Sequence, residues 1–223
     1  MNFMQWLNSL DELLFEILSW VIFFPITLWR IVCHPLSMMA YADAQLALPE
    51  NDQYADGLSP PIFLVLSLLL SQALELTMVG TNAIVRSRHG LASLVDDNTS
   101  LLLLRLILFG IFPLLMATRL VRKRGEGLDR KTLKPPFYAQ CYLAAPFALT
   151  LGIGGTMMTQ PWDWVRVAGV VVAVVALLAY GIVQTRWFAT QLAVSRARAF
   201  VHASFGMAES IVIATGVAWL FSL

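Results

Sequence analysis

Seven of the chain's fifteen Lys and Arg residues crowd into one stretch, RLVRKRGEGLDRKTLK, residues 119–134, with long apolar runs on both sides of it. Basic clusters beside hydrophobic segments are retained on the cytoplasmic side of a membrane, so this stretch sets the direction of every neighbouring crossing. Composition agrees with a membrane setting. Hydrophobic residues make up 58% of the chain and charged residues 13%, with a mean hydropathy of +0.71. Soluble domains run at about 45–50% apolar and about 25% charged. At about 20 residues per crossing plus connections, the 223 residues have room for roughly five or six helices in one bundle and none for a separate soluble domain. The expected fold class is all-α: a polytopic membrane helix bundle of about five transmembrane helices plus an N-terminal amphipathic or interfacial helix.

The division expected is an N-terminal part, residues 1–58, with amphipathic and interfacial helices and a polar cytoplasmic loop, and a five-helix transmembrane domain, residues 59–223. Phe3, Trp6, Leu7, Leu10, Leu13, Leu14, Ile17 and Leu18 recur at three- and four-residue spacing, which is the pattern of an amphipathic helix. Residues 20–33 are apolar but contain Pro25 and Arg30. Two readings compete here: a re-entrant or interfacial segment, or a sixth span over residues 13–32 with Glu16 at one end. The first is preferred because Glu16 and Pro25 both weaken a simple span. Residues 34–58 read as a polar connection with a short helix near residues 37–46. Its Asp43, Glu50, Asp52 and Asp56 read as solvated rather than as a site for a cation or basic partner, and their spacing is not that of an EF-hand. The first charges, Asp11, Glu12 and Glu16, are acidic, so no cleaved leader is expected.

Five spans are predicted over residues 61–80, 100–118, 137–158, 165–184 and 204–223. The second ends at the basic segment and so runs inward; the first therefore runs outward. Residues 81–99 and TQPWDW then lie outside, while TRWFATQLAVSRARAFVHA continues as a helix along the inner interface. On this topology about eleven basic residues lie inside, three outside, and Arg105 in the membrane. The expected placement is the inner membrane of a bacterium, N-terminus cytoplasmic and C-terminus outside. Cys33 and Cys141 both fall on the cytoplasmic side and read as packing residues, not a disulfide. Gly152, Gly154 and Gly155 are expected to allow close helix contact.

The intramembrane polar candidates are Gln72, Glu75, Arg105, His202 and Glu209, since ionisable groups in lipid are costly and face a bundle interior. Glu75 and Arg105 each lie about five residues from the outer end of antiparallel spans, roughly 8 Å deep at 1.5 Å per residue, so an ion pair between them is predicted. Either it fixes helix register or it belongs to a substrate or proton path. His202 and Glu209 are seven apart and share a face; a proton relay is one use, binding a neighbouring loop the plainer one. The basic segment offers Arg119, Arg122, Lys123, Arg124, Arg130, Lys131 and Lys134 to lipids or a partner. His34, His89 and His202 are spread over both membrane sides, so no metal site is expected, nor a catalytic constellation or cofactor, and the net charge of +1 implies no nucleic-acid partner.

The order of WRIVCHPLSMMAY in the polar N-terminal part, LSPPIFLVLSLLLS opening the first span and SRARAFVHASFGMAE before the last is similar to that of the bacterial branch of the Yip1-like membrane proteins. The resemblance covers residues 30–223 and implies a five-span bundle with a cytoplasmic N-terminus; eukaryotic members resemble trafficking adaptors that bind small GTPases, and bacterial ones are often labelled permeases. It carries over no functional residue. Two functions follow from the sequence: a non-enzymatic membrane scaffold or accessory subunit binding other membrane proteins or lipids, alone or as a homo-oligomer, or a small permease or channel with a polar path through Gln72, Glu75, Arg105 and Glu209. The scaffold is preferred because no internal repeat of the kind common in transporters is seen.

Overall fold

The structure is a computed structural model that describes the backbone of residues 3–79 and 98–220, and side chains from residue 10 onward apart from residues 51, 98–101, 218 and 220. Arg86, Arg88, His89, Asp96 and Asp97 of the expected outer loop lie outside the described residues. Every regular element described is helical: α1 (Phe3–Cys33), α2 (Pro35–Gln45), a 3-10 turn (Glu50–Asp52), α3 (Pro60–Val79), α4 (Asn98–Arg124), α5 (Arg130–Met158), α6 (Asp163–Leu192) and α7 (Arg196–Leu220). The protein is a polytopic helix bundle. Six helical segments are long and apolar enough to cross a membrane: Leu10–Cys33, Pro60–Val79, Leu102–Arg124, Arg130–Met158, Asp163–Leu192 and Arg196–Val217.

That is one more than the five predicted, and the difference lies in α1. Pro25 was expected to interrupt residues 20–33, yet α1 continues through it without a break. Proline removes one helical hydrogen bond, here to the carbonyl of Val21. Opening the chain on either side would leave several more backbone groups unpaired among apolar residues, which costs more.

The basic segment is also more helical than expected. Helix α4 continues to Arg124 and α5 starts at Arg130, so only residues 125–129 connect them. Gly125 adopts φ +74, and the amides of Gly125 and Glu126 donate to the carbonyls of Arg122 and Val121 at 3.2 and 3.3 Å. This is a Schellman stop, and Arg122, Lys123 and Arg124 in the last turn favour the helix dipole. Helix α5 begins with a capping box: Asp129 Oδ1 accepts from the amides of Lys131 and Thr132 at 2.7 and 2.8 Å, and Thr132 Oγ1 accepts from the amide of Asp129 at 3.1 Å. The backbone N–H of Thr132, the foremost cause, holds the Asp129 carboxyl below its usual range. The predicted interfacial helix after residue 184 is likewise corrected. Helix α6 runs on to Leu192, burying Trp187 and Phe188, and turns into α7 through Ala193 at φ +50.

Helix α5 is the axis of the bundle. In its apolar window 56% of residues are buried, against a third or less in each other candidate span. Leu58 and Phe63 lie against Tyr142, and Ser71 against Gly152, so α3 runs parallel to α5. On another side Phe112 packs on Phe147, edge to face. On a third, Phe147 stacks on Tyr180 with centroids 4.4 Å apart, and Gln140 and Gln184, both fully buried, exchange hydrogen bonds, one of 2.9 Å. Each amide thus supplies the other's donor and acceptor, which a buried polar pair requires.

Beyond Gln184 the antiparallel α6 crosses α5 where Gly154 meets Gly169. A Cβ on Gly169 would lie 2.6 Å from the carbonyl oxygen of Gly154, and one on Gly152 would strike the Ser71 hydroxyl. Two of the three expected contact glycines therefore do pack tightly; Gly155 does not, and nothing lies within 4 Å of its Cβ position. Helix α2 lies against the same axis, burying Met38, Met39 and Ala42 in a core continuous with Tyr54, Leu58 and Tyr142. The connection expected to be solvated is thus partly core. Leu58 ties it down: its amide donates to Thr27 Oγ1 at 3.4 Å and its carbonyl accepts from the Tyr142 hydroxyl at 2.6 Å.

Gly169→Ala should destabilise the bundle by about 1–3 kcal/mol through overpacking against backbone, while Gly155→Ala should be neutral. Thermal-shift measurements of both variants in detergent check this; equal melting would exclude the Gly154–Gly169 approach as a close contact.

Candidate functional site

Polar groups collect at both ends of the bundle. At one end, Arg105, one turn into the apolar stretch of α4, donates to the Glu75 carboxylate, one turn before the end of α3. The pair predicted from helix depth is present. The two side chains are 17% and 16% exposed, so most of each charge is removed from solvent. Gln72, one turn earlier on α3, is buried as expected of an intramembrane amide. Leu68, Ser71, Glu75, Arg105, Phe109, Leu151, Gly152, Gly155, Thr156 and Thr159 enclose a cavity of about 350 Å³. Its walls come from α3, α4 and α5, so the Glu75–Arg105 pair borders free volume between these helices.

At the other end, Arg119 Nη1 donates to both carboxylate oxygens of Glu209, at 2.9 and 3.0 Å. The guanidinium also lies over the Phe205 ring, 5.4 Å from its centroid. Arg119 is 17% exposed and Glu209 52%. This overturns one assignment: Arg119 is not part of an open basic loop but faces α7, because α4 runs past residue 118. Arg124 is similarly engaged, donating to Gln191 Oε1 and lying 3.9 Å from Glu126. Arg122, Lys123, Arg130, Lys131 and Lys134 remain exposed, Lys134 with its ammonium 5.5 Å from the Tyr138 ring centroid. His202 lies two turns before Glu209 on α7 and within reach of the Lys123 and Arg119 charges, while Glu209, midway along the helix, meets Arg119. The carboxylate binds the neighbouring helix α4, where the plainer expectation was a neighbouring loop.

A third cluster was not anticipated. Arg30 Nη1 donates to Asp56 Oδ2 at 3.0 Å and to the Asp56 carbonyl at 3.2 Å, and the Tyr41 hydroxyl donates to Asp56 Oδ1. The Tyr41 hydrogen bond, the largest effect, holds the Asp56 carboxyl below its usual range against the opposing effect of burial, with the Arg30 contacts adding to it; burial and Asp56 push the Tyr41 phenol up. Nearby, burial raises the Asp43 carboxyl, with Arg124 opposing. Sequence spacing could not reveal the cluster, since 26 residues separate Arg30 from Asp56 and a folded connection brings them together.

Removing one member of the Arg105–Glu75 pair strands the other charge, which in buried pairs costs about 3–5 kcal/mol. Glu75→Gln and Arg105→Gln should each lower folded yield in the membrane and the double variant should restore much of it; independent losses would exclude coupling. For Asp56, a folded value below the unfolded one means its stabilisation is present above the ordinary carboxylate range and is lost as pH falls through the lowered value. Asp56→Asn should therefore flatten the acid side of the pH–stability profile, read by thermal shift; an unchanged slope would count against the cluster. Compared with known proteins, the chain matches no family model, no curated protein and no solved structure, and the Yip1-like resemblance of its sequence gains no support from them.

Proposed function

We propose that this protein is a non-enzymatic membrane scaffold or accessory subunit that holds other membrane proteins or lipids against its helix bundle. The observation that carries this reading is the use of its charges. Glu75 is joined to Arg105 near one end of the bundle and Glu209 to Arg119 near the other. Between them lie Leu68, Phe112, Met116 and Phe147, buried and apolar. Charges paired across helices set their relative height and rotation, and the buried amides of Gln140 and Gln184 in the packed centre are spent on each other. A permease path through Gln72, Glu75, Arg105 and Glu209 needs polar groups that face a solute rather than one another.

The exposed basic residues Arg122, Lys123, Arg130 and Lys131 support a cytoplasmic position for the connection between α4 and α5, in the inner membrane of a bacterium. With that end inside, an α1 that crosses the bilayer carries the N-terminus to the outer side, together with the C-terminus. Arg30 near the inner end of α1, and the acidic Asp11 and Glu12 near its start, agree with this direction. The orientation differs from the cytoplasmic N-terminus expected with five spans.

Purification of the tagged protein in mild detergent, with mass spectrometry of what accompanies it, should yield one membrane protein at constant stoichiometry. A chain that comes alone, and lets solutes pass when reconstituted, overturns the scaffold in favour of the permease. Topology is checked separately: Asn2→Cys in a Cys33→Ser background should react with a membrane-impermeant maleimide from the outer face, and protection there would place the N-terminus inside.

A further inference from the structure

The cavity beside the Arg105–Glu75 pair has the chemistry of a headgroup site. We propose that it binds an aminophospholipid, with the lipid phosphate on Arg105 and its primary ammonium on Glu75. The proposal rests on the lipid-binding side of the scaffold reading and names the lipid.

The walls divide by polarity. Glu75, Arg105, Ser71, Thr156 and Thr159 make one part, and Leu68, Phe109 and Leu151 make the other, which suits a molecule with a charged head and an apolar continuation. At about 350 Å³ the space falls in the range of small-molecule sites. Its depth fits a headgroup as well. Glu75 is one turn from the end of α3 at Val79, and Thr159 caps the end of α5 after Met158.

The charge pattern selects the head. Arg105 and Glu75 carry opposite charges on one wall, so an anion or a cation alone would meet one favourable and one repulsive partner. A zwitterion satisfies both. Arg105 directs one donor to Glu75, and a guanidinium has five, in a fork that matches phosphate oxygens. The threonines decide the other half. Thr156 donates its hydroxyl proton to the Gly152 carbonyl at 2.9 Å, and Thr159 donates to the Thr156 carbonyl at 2.8 Å. With its proton committed, each hydroxyl can meet a ligand only as an acceptor. Acceptors beside a carboxylate suit an ammonium with three N–H donors, and do not suit a trimethylated one with none.

Room for the ligand comes from Gly155. It lines the cavity, and nothing lies within 4 Å of the position its Cβ would take. A larger side chain there enters the cavity without striking the packed face formed by Gly152 and Gly154.

The test uses the full chain reconstituted with phosphatidylethanolamine, phosphatidylcholine and phosphatidylglycerol at equal mole fraction, and reads retained lipid by native mass spectrometry. Wild type should retain phosphatidylethanolamine over phosphatidylcholine by roughly tenfold, the worth of one charge-assisted hydrogen bond. Gly155→Leu should abolish the preference with thermal stability unchanged. Should that variant fail to fold, Thr159→Val, at the exposed end of α5, must narrow the preference instead. Equal retention of the lipids by wild type overturns the proposal, as does a preference that survives a folded Gly155→Leu. Soluble phosphoethanolamine that binds as tightly as the lipid would make the ligand a free solute and overturn the lipid assignment. A protein partner that still co-purifies with Gly155→Leu leaves the scaffold reading standing, so the two fail separately.

Discussion

Helix α5 can be surrounded by other helices because much of its packing surface is nearly flat. Lipid tails are as apolar as leucine side chains, so helices in a membrane are not driven together by burial from water; they associate where backbones approach closely and shapes match. Ala139, Ala144, Ala145 and Ala148 are buried along α5, and Gly152 and Gly154 meet α3 and α6. Large residues lie between these small ones. Tyr142 and Phe147 fill the grooves that Phe63, Phe112 and Tyr180 leave open. A bulky residue at Gly154 would separate α5 from α6 and, through the shared axis, disturb the positions of α3 and α4.

That axis also decides where polar groups can be tolerated. Gln140 and Gln184 sit in the packed centre because each satisfies the other. The charged pairs lie toward the two ends, where an Arg on one helix reaches a carboxylate on the next. Such a pair recovers only part of the cost of desolvation, so its main effect is on geometry: any slip or rotation of α3 against α4, or of α4 against α7, strands a charge. Arg119 illustrates this, with its guanidinium held between Glu209 and the Phe205 ring.

The connection between α1 and α3 is fastened in the same economical way. Leu58 directs its amide to α1 and its carbonyl to α5. Asp56, two residues earlier, gathers Arg30 and Tyr41. The ion pair alone, with side chains 42% and 59% exposed, is worth about 1 kcal/mol or less. Its position matters more, since it fixes the C-terminal end of α1 while α2 buries its apolar residues against α5.

Apolar run length, the basic cluster and helix depth are local or additive properties, so the sequence by itself determined the membrane bundle, the helical character of each run and the Arg105–Glu75 pair on adjacent antiparallel helices. Helix ends were less legible. Polar residues were taken as the limits of spans, whereas Schellman and capping-box hydrogen bonds carried helices through Arg119 and back to Arg130, and Pro25 did not stop α1. Only the tertiary structure decided which distant helices touch. It paired Arg119 with Glu209 across 90 residues and Gln140 with Gln184 across 44, and it left open space at Gly155 but not at Gly154. Periodicity gives the height and face of a residue on its own helix; which neighbour that face meets depends on how all the helices pack together.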